Sequence, residues 1–359
     1  MIISNSKNIL VAPLDWGLGH ATRCIPIIKT LQQQGFTIIV AVNKNQQKVL
    51  EQELENISYI FLKGYEITYS KNKWFFGLKI LLQAPKILWR IYSEHQWLKL
   101  LIAKEQIDLV ISDNRFGLFT KKIPSIFITH QLQIKAPLAW LEKLIQKINY
   151  SFIHQYKQCW IPDIEGENNI AGNLSHPKIL PKTPLHYIGV LSRFKLHQPT
   201  KFYDVCILLS GPEPQRTLLE QIIIAQTTAL ENFKIVIVRG LPHVHENLVL
   251  ENIQVHNHLS QQALESIINQ SEYIVSRSGY TTVMELMSLQ KKSILIPTPG
   301  QTEQEYLAKY LSQNKKCISF NQNNFNLNEA IKKAKDFSFQ LNNELHFNPE
   351  KIIEPIRKL

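Results

Sequence analysis

Four cysteines are all that the 359 residues contain. Cys24, Cys159, Cys206 and Cys317 stand far apart, with no C-x-x-C pair and no Cys/His spacing of a zinc or redox site. Three lie in or beside apolar runs, where a reduced cysteine acts as a small hydrophobe. That pattern fits a reducing cytosol. No apolar run approaches the ~18 residues of a membrane span. The opening "MIISNSKNILVAP" lacks the charged, apolar, small-residue order of a signal peptide. The expected location is cytoplasmic, with room for peripheral attachment to the inner face of a membrane. A dinucleotide fingerprint is missing too: three residues after Gly19 stands Thr22, and Val42, ending the next strand, is not acidic. No paired carboxylates suggest a metal role, so neither a metal nor another cofactor is expected.

Base is in excess of acid. Forty Lys and Arg face 29 Asp and Glu, a formal charge of +11, which favours anionic partners. The length exceeds what one hydrophobic core usually serves, so two domains are expected. Short β-branched runs such as "NILVAP", "FTIIVAV" and "IDLVISD" alternate with helical stretches, the pattern of parallel sheet covered on both faces. The run Pro177 to Phe202, with Pro181, Pro184 and Pro199, reads as a linker. Beyond it the alternation restarts at "YDVCILLSG". The fold class is therefore α/β, with two Rossmann-like parallel-sheet domains facing a central cleft, residues 1–185 and 186–359. Such sheets take ligands at their carboxyl ends.

"DWGLGHATR", Asp15 to Arg23, follows the first strand. Gly17 and Gly19 permit a tight turn and close approach of a ligand. One reading is a plain strand-to-helix turn with His20 at the helix start. The other turns His20 toward the cleft as a general base near neutral pH, with Asp15 or Asp113 orienting it or competing for the role.

"SRSGYTTVMELM" places Arg277, Ser278 and Gly279 at a strand's carboxyl end beside a helix N-terminus, a setting that suits phosphate. Glu285 lies further along that helix, and one carboxylate can accept from both hydroxyls of a ribose. "PTPGQTEQEY" offers Gln301, Gln304 and Glu305 to a sugar. The plainer reading makes Ser278 and Thr281 helix caps and leaves Glu285 solvated.

The segment "SRSGYTTVMELMSLQKKSILIPTPGQTEQEYLA", Ser276 to Ala308, resembles the donor motif of family 28 glycosyltransferases. That family includes the bacterial enzymes that add N-acetylglucosamine to lipid I and the plant galactolipid synthases. "GLGHATR" is similar to its amino-domain glycine–histidine turn. "YIGVLSR" resembles the segment leading into the second domain, which carries a phosphate-side Arg. The resemblance implies the GT-B fold, a UDP-sugar in the second domain and a lipid-linked or glycan acceptor in the first; no recognised nucleic-acid-binding module is present, so no nucleic acid is expected. It also implies that the last residues pack back on the first domain. It makes Glu285 the ribose ligand, with Arg277, Ser278, Gly279 and Thr282 around it, and Gln304 the first of a Gln pair facing the sugar. His20 becomes the base or the leaving-group partner, and Arg193 the phosphate-side arginine. Gly211, Arg216, Thr281 and Leu259 complete the expected donor side.

The sequence departs from the family twice. Glu305 stands where the pair has its second Gln. "SGPEPQR" replaces the glycine-rich loop, where Pro212 and Pro214 have no N–H and Glu213 repels phosphate. Arg216 and the helix N-terminus at Gln215 are the expected compensation. "GLGHATRC" also resembles the corner of a nucleotide-sugar hydrolase of pseudaminic acid synthesis, so hydrolysis is an alternative to transfer. A non-catalytic nucleotide-sugar binder is a second alternative.

Residues 67–93 hold Lys71, Lys73, Lys79, Lys86 and Arg90 with Trp74, Phe75, Phe76 and Trp89, and no acid. Such a stretch suits an anionic membrane surface, or else a packed helix with solvated lysines. Pro85 is expected to break or kink a single long helix there.

Overall fold

A computed structural model describes residues 7–65, 83–136, 138–230, 232–242, 244, 246, 248–251 and 253–359. The chain divides into two units. The described residues through Arg193 belong to the first, and Phe194–His346 to the second.

The first unit runs β1 (Asn8–Pro13), α1 (Leu18–Gln33), β2 (Thr37–Val42), α2 (Lys44–Glu51), β3 (Ser58–Phe61), α3 (Ala84–Lys104), β4 (Leu109–Asp113), β5 (Ser125–Ile128), α4 (Ala139–Ile153), β6 (Gln158–Ile161) and β7 (Leu185–Tyr187). Its seven strands are ordered β3-β2-β1-β4-β5-β6-β7, and every pairing is parallel. Ile9, Leu10 and Val11 are buried without polar interruption, as a strand covered on both faces requires. Helix α1 ends where Gly35 takes a φ of +84°. There Gly35 N–H donates to the Gln32 carbonyl and Phe36 N–H to that of Leu31, a Schellman stop.

The second unit runs β8 (Tyr203–Leu208), α5 (Gln215–Ile224), β9 (Ile235–Val238), β10 (Ile253–His256), α6 (Gln261–Gln270), β11 (Ser271–Ser276), α7 (Tyr280–Ser288), β12 (Lys292–Leu295), α8 (Thr302–Gln313), β13 (Cys317–Ser319) and α9 (Leu327–Asp336). Its strand order is β10-β9-β8-β11-β12-β13, again all parallel. The chain closes with α10 (Glu350–Arg357), which belongs to the first unit; the Gln158 amide donates to the Pro355 carbonyl at 3.2 Å.

One expectation changes. The proline-bearing run 177–202 supplies β7, the seventh strand of the first sheet, so it is not only a linker. Three residues after Pro184 are too few to show alternation, yet Cys159 N–H still donates to the Pro184 carbonyl at 2.9 Å. Pro85 stands in the first turn of α3, which begins at Ala84, so no helix runs through it and its missing N–H costs no intrahelical bond. Residues 67–82, with Lys71, Lys73, Trp74, Phe75, Phe76 and Lys79, lie outside the described residues. Among the described residues no helix is long and apolar enough to cross a membrane.

Candidate functional site

Each sheet reverses its strand order once, and a reversal separates the loops on either side and opens a crevice at the carboxyl ends. In the first sheet the reversal lies between β1 and β4, where Pro13 pairs with Asp113. The loop after β1 ends at Gly17, with a φ of +100°, and the first turn of α1 carries Gly19 and His20. His20 and Asp113 therefore meet at the switch point: His20 Nδ1 lies 2.9 Å from Asp113 Oδ2.

Arg23, one turn along α1, reaches the same carboxylate. Its Nε donates to Oδ2 at 3.0 Å and its Nη2 pairs with Oδ1. Arg23 Nη1 lies 3.3 Å from His130 Nδ1, just beyond β5. Asp113 is fully buried. Burial pushes its carboxyl up, but the Arg23 and His20 charges and their hydrogen bonds outweigh that and hold it at about 2. Burial, aided by Arg23, pulls His20 below the usual imidazole range, against the opposing pull of Asp113. At neutral pH His20 is thus neutral beside an ionised carboxylate. A carboxylate only accepts, so Nδ1 carries the proton and Nε2 keeps its lone pair. The group can take a proton through Nε2.

Asp15 does not orient His20. Its Oδ1 accepts from Tyr65 N–H at 3.0 Å and lies 3.8 Å from Arg115. Arg115 is fully buried, braced by Glu94 at 2.5 Å and the Pro13 carbonyl at 2.8 Å, and Tyr65 donates to Glu94 at 2.7 Å. This lattice fixes the outgoing end of β1, one residue before the loop that bears His20.

In the second sheet the reversal lies between β8 and β11. Gly211 and Arg216 follow β8; Arg277, Ser278 and Gly279 follow β11. Arg277 ties these loops together. Its Nη2 donates to the Gln215 carbonyl and to Gln322 Oε1, both at 2.6 Å, and its Nη1 to the Ile296 and Pro297 carbonyls at 3.2 and 3.3 Å. Burial lowers its pKa to about 10. The guanidinium expected beside phosphate is engaged with main-chain oxygens.

Gly279 is the N-cap of α7 and no side chain caps that helix, so neither Ser278 nor Thr281 does so. Ser278 Oγ instead donates to the Gln304 carbonyl at 2.9 Å. Glu285 is nearly buried rather than solvated; Thr281 and Thr282 are half-buried on the first turn. Gln301 is the N-cap of α8. Gln304 Oε1 accepts from Thr298 N–H and Glu305 Oε1 from Gly300 N–H, each at 2.9 Å, so this pair also shapes the turn before α8. Leu259 packs against the apolar cluster of β8, β9 and α6. Arg193 is half-buried at the end of the first unit's main segment. Among the described residues no cluster of three His, Cys, Asp or Glu side chains stands ready to hold a metal ion.

No sequence pattern assigned a role to Arg23, His130, Arg239 or Glu220. Arg23 had a signal: three residues after His20 on a helix shares its face. The others come together only through strand order.

Comparison with known proteins agrees with this geometry. Residues 206–352 match the family model described as glycosyltransferase family 28 C-terminal domain. The UDP-N-acetylglucosamine–N-acetylmuramyl-(pentapeptide) pyrophosphoryl-undecaprenol N-acetylglucosamine transferase of Clostridium botulinum is 24% identical over 289 residues, covering 78% of this chain and 75% of its own. Among solved structures, the kitacinnamycin glycotransferase superposes with a TM-score of 0.66 at 13% identity, over 99% of this chain and 95% of its own. Acinetobacter baumannii MurG does so at 0.57 and 15%, over 98% and 100%. The two-unit parallel architecture is that of the GT-B fold.

Proposed function

Because residues 206–352 form a glycosyltransferase family 28 carboxy-terminal domain, we propose that this chain is an inverting glycosyltransferase. It moves a sugar, N-acetylglucosamine or another hexose, from a UDP-sugar to a lipid-linked acceptor. The observation that carries the reading is the His20–Asp113 pair at the first sheet's switch point, which leaves Nε2 as a proton acceptor. The acceptor hydroxyl attacks the anomeric carbon from the side opposite the diphosphate. The bond from that carbon to the β-phosphate oxygen breaks, UDP leaves with the electron pair, and Nε2 takes the hydroxyl proton. Glu285 accepts from the ribose hydroxyls, and the open N-terminus of α7 faces the diphosphate charge, as preorganised stabilisation requires. No metal takes part.

The acceptor's lipid calls for a membrane surface. On α4, Trp140, Leu144 and Ile148 form an exposed stripe at helical spacing, flanked by exposed Lys143 and Lys147. On α3, Leu88, Trp89 and Tyr92 are exposed, whereas Arg90 is buried against Trp89. These faces support a cytoplasmic protein held on anionic lipid. The stretch 67–93 foreseen for this attachment falls mostly outside the described residues, and α4 offers a further face beside it.

UDP release is the test, measured with a UDP-sugar panel, lipid-linked acceptor or water, and chelator. Release that requires the acceptor and survives the chelator is expected. Release in water alone would make the protein a hydrolase; binding without release would make it a carrier.

A further inference from the structure

The loop after β8 is the second unit's departure from a glycine-rich phosphate cradle. Pro212 and Pro214 contribute no N–H. What the loop offers an anion is Arg216 and the first turn of α5. Both are already engaged by the chain itself. Glu213 Oε1 accepts from Arg216 Nε at 2.6 Å, and Glu213 Oε2 accepts from Thr217 N–H at 3.3 Å. One side-chain carboxylate thus occupies a guanidinium and a helix N-terminus together, as a bound anion would.

The pairing is lopsided. Glu213 is 53% exposed and Arg216 only 5%. Behind Arg216 the charges continue inward. Glu220 lies 3.3 Å from Arg216 and 2.6 Å from Arg239, and Arg239 also donates to Asn257 at 2.8 Å. Two arginines are balanced by two glutamates, but only Glu213 reaches solvent. When its carboxylate swings out, the cluster keeps a net charge of +1 at a helix N-terminus. The inner ion pairs hold Arg216 in place without it.

We propose that Glu213 is a displaceable counter-anion that competes with the donor's diphosphate for Arg216 and the start of α5, and so sets donor affinity. The inference rests on the donor reading of the second unit. It makes Glu213 a specificity residue: a ligand must bring enough negative charge to evict it. A diphosphate does; a nucleoside without phosphate does not and binds regardless of its position.

The experiment compares the full chain with Glu213→Gln and Glu213→Ala by calorimetry, using UDP and uridine as probes. The Glu213 side of the pair is open to water, which weakens its hold, so eviction is not prohibitive and removing Glu213 yields a gain of about three- to tenfold in UDP affinity. Uridine affinity stays constant, and added salt narrows the gap. Equal or weaker UDP binding by both variants overturns the proposal. So does a parallel gain for uridine, which would show no dependence on phosphate. A lowered melting temperature with lost UDP binding would make Glu213 a brace, also overturning it. If the wild type binds neither probe, the donor reading itself falls, and this inference with it.

Discussion

His20 and Arg23 share the one carboxylate of Asp113, and that sharing sets the chemistry available to His20. Arg23 keeps Asp113 ionised; Asp113 keeps the Nδ1 proton in place. Replacing Asp113 by Asn removes the charge that raises the His20 pKa. We expect turnover to fall by about 10²–10⁴ and the acid limb of the pH–rate profile to move to lower pH. A uniform loss with no shift would mean a structural role only. Arg23 would lose its counter-charge, at about 3–5 kcal/mol of stability, which a urea melt reads separately. The wild-type sign follows from the same groups. His20 is held below its ordinary value of 6.5, so its contribution to stability is present above pH 6.5 and declines as pH falls below it. Asp113, held at about 2, stabilises above its unfolded value near 3.9 and loses that as pH falls toward 2. The histidine was legible in "GLGHATR". Its partner was one of two candidate aspartates, because only strand order sets Asp113 beside β1.

Among the elements, Arg277 shows how a motif residue can serve the fold. It binds the start of α5, the end of β12 and the turn at Gln322 from the end of β11. Arg277→Met leaves several buried carbonyls without donors, each costing about 1–3 kcal/mol. A clear drop in the urea midpoint is expected; an unchanged midpoint would show that those carbonyls find other donors. The sequence marked this arginine as chemical because it precedes a helix N-terminus, and a pattern says nothing of how many carbonyls lie around it. Helix α4 carries the opposite lesson. In "AWLEKLIQKINYSFI" apolar residues recur at helical spacing, yet Trp140 among them is 64% exposed. Periodicity identifies an apolar face without saying what covers it. Trp140→Ser with Leu144→Ser forfeits up to about 1.5–3 kcal/mol per buried side chain, so sedimentation with anionic vesicles should fall at least about tenfold. Equal sedimentation would remove α4 from the membrane surface.

At the scale of the molecule the proposed function divides the labour between the two units. The alternation of short apolar strands with helices made both parallel sheets legible, since strands covered on both faces leave continuous β-branched runs. The division itself was blurred, because β7 is too short to show a period. The central claim is that the first unit performs the proton transfer while the second holds the donor. The direct measurement sets His20→Ala beside Glu285→Ala, with calorimetric UDP-sugar affinity and the rate of acceptor-dependent UDP release read on each. The account predicts that His20→Ala keeps donor affinity and loses turnover by about 10²–10⁴. Glu285→Ala loses at least about tenfold in affinity, as hydrogen bonds to a charged group imply. A folded His20→Ala protein with wild-type turnover, or a Glu285→Ala protein with wild-type affinity, would contradict it.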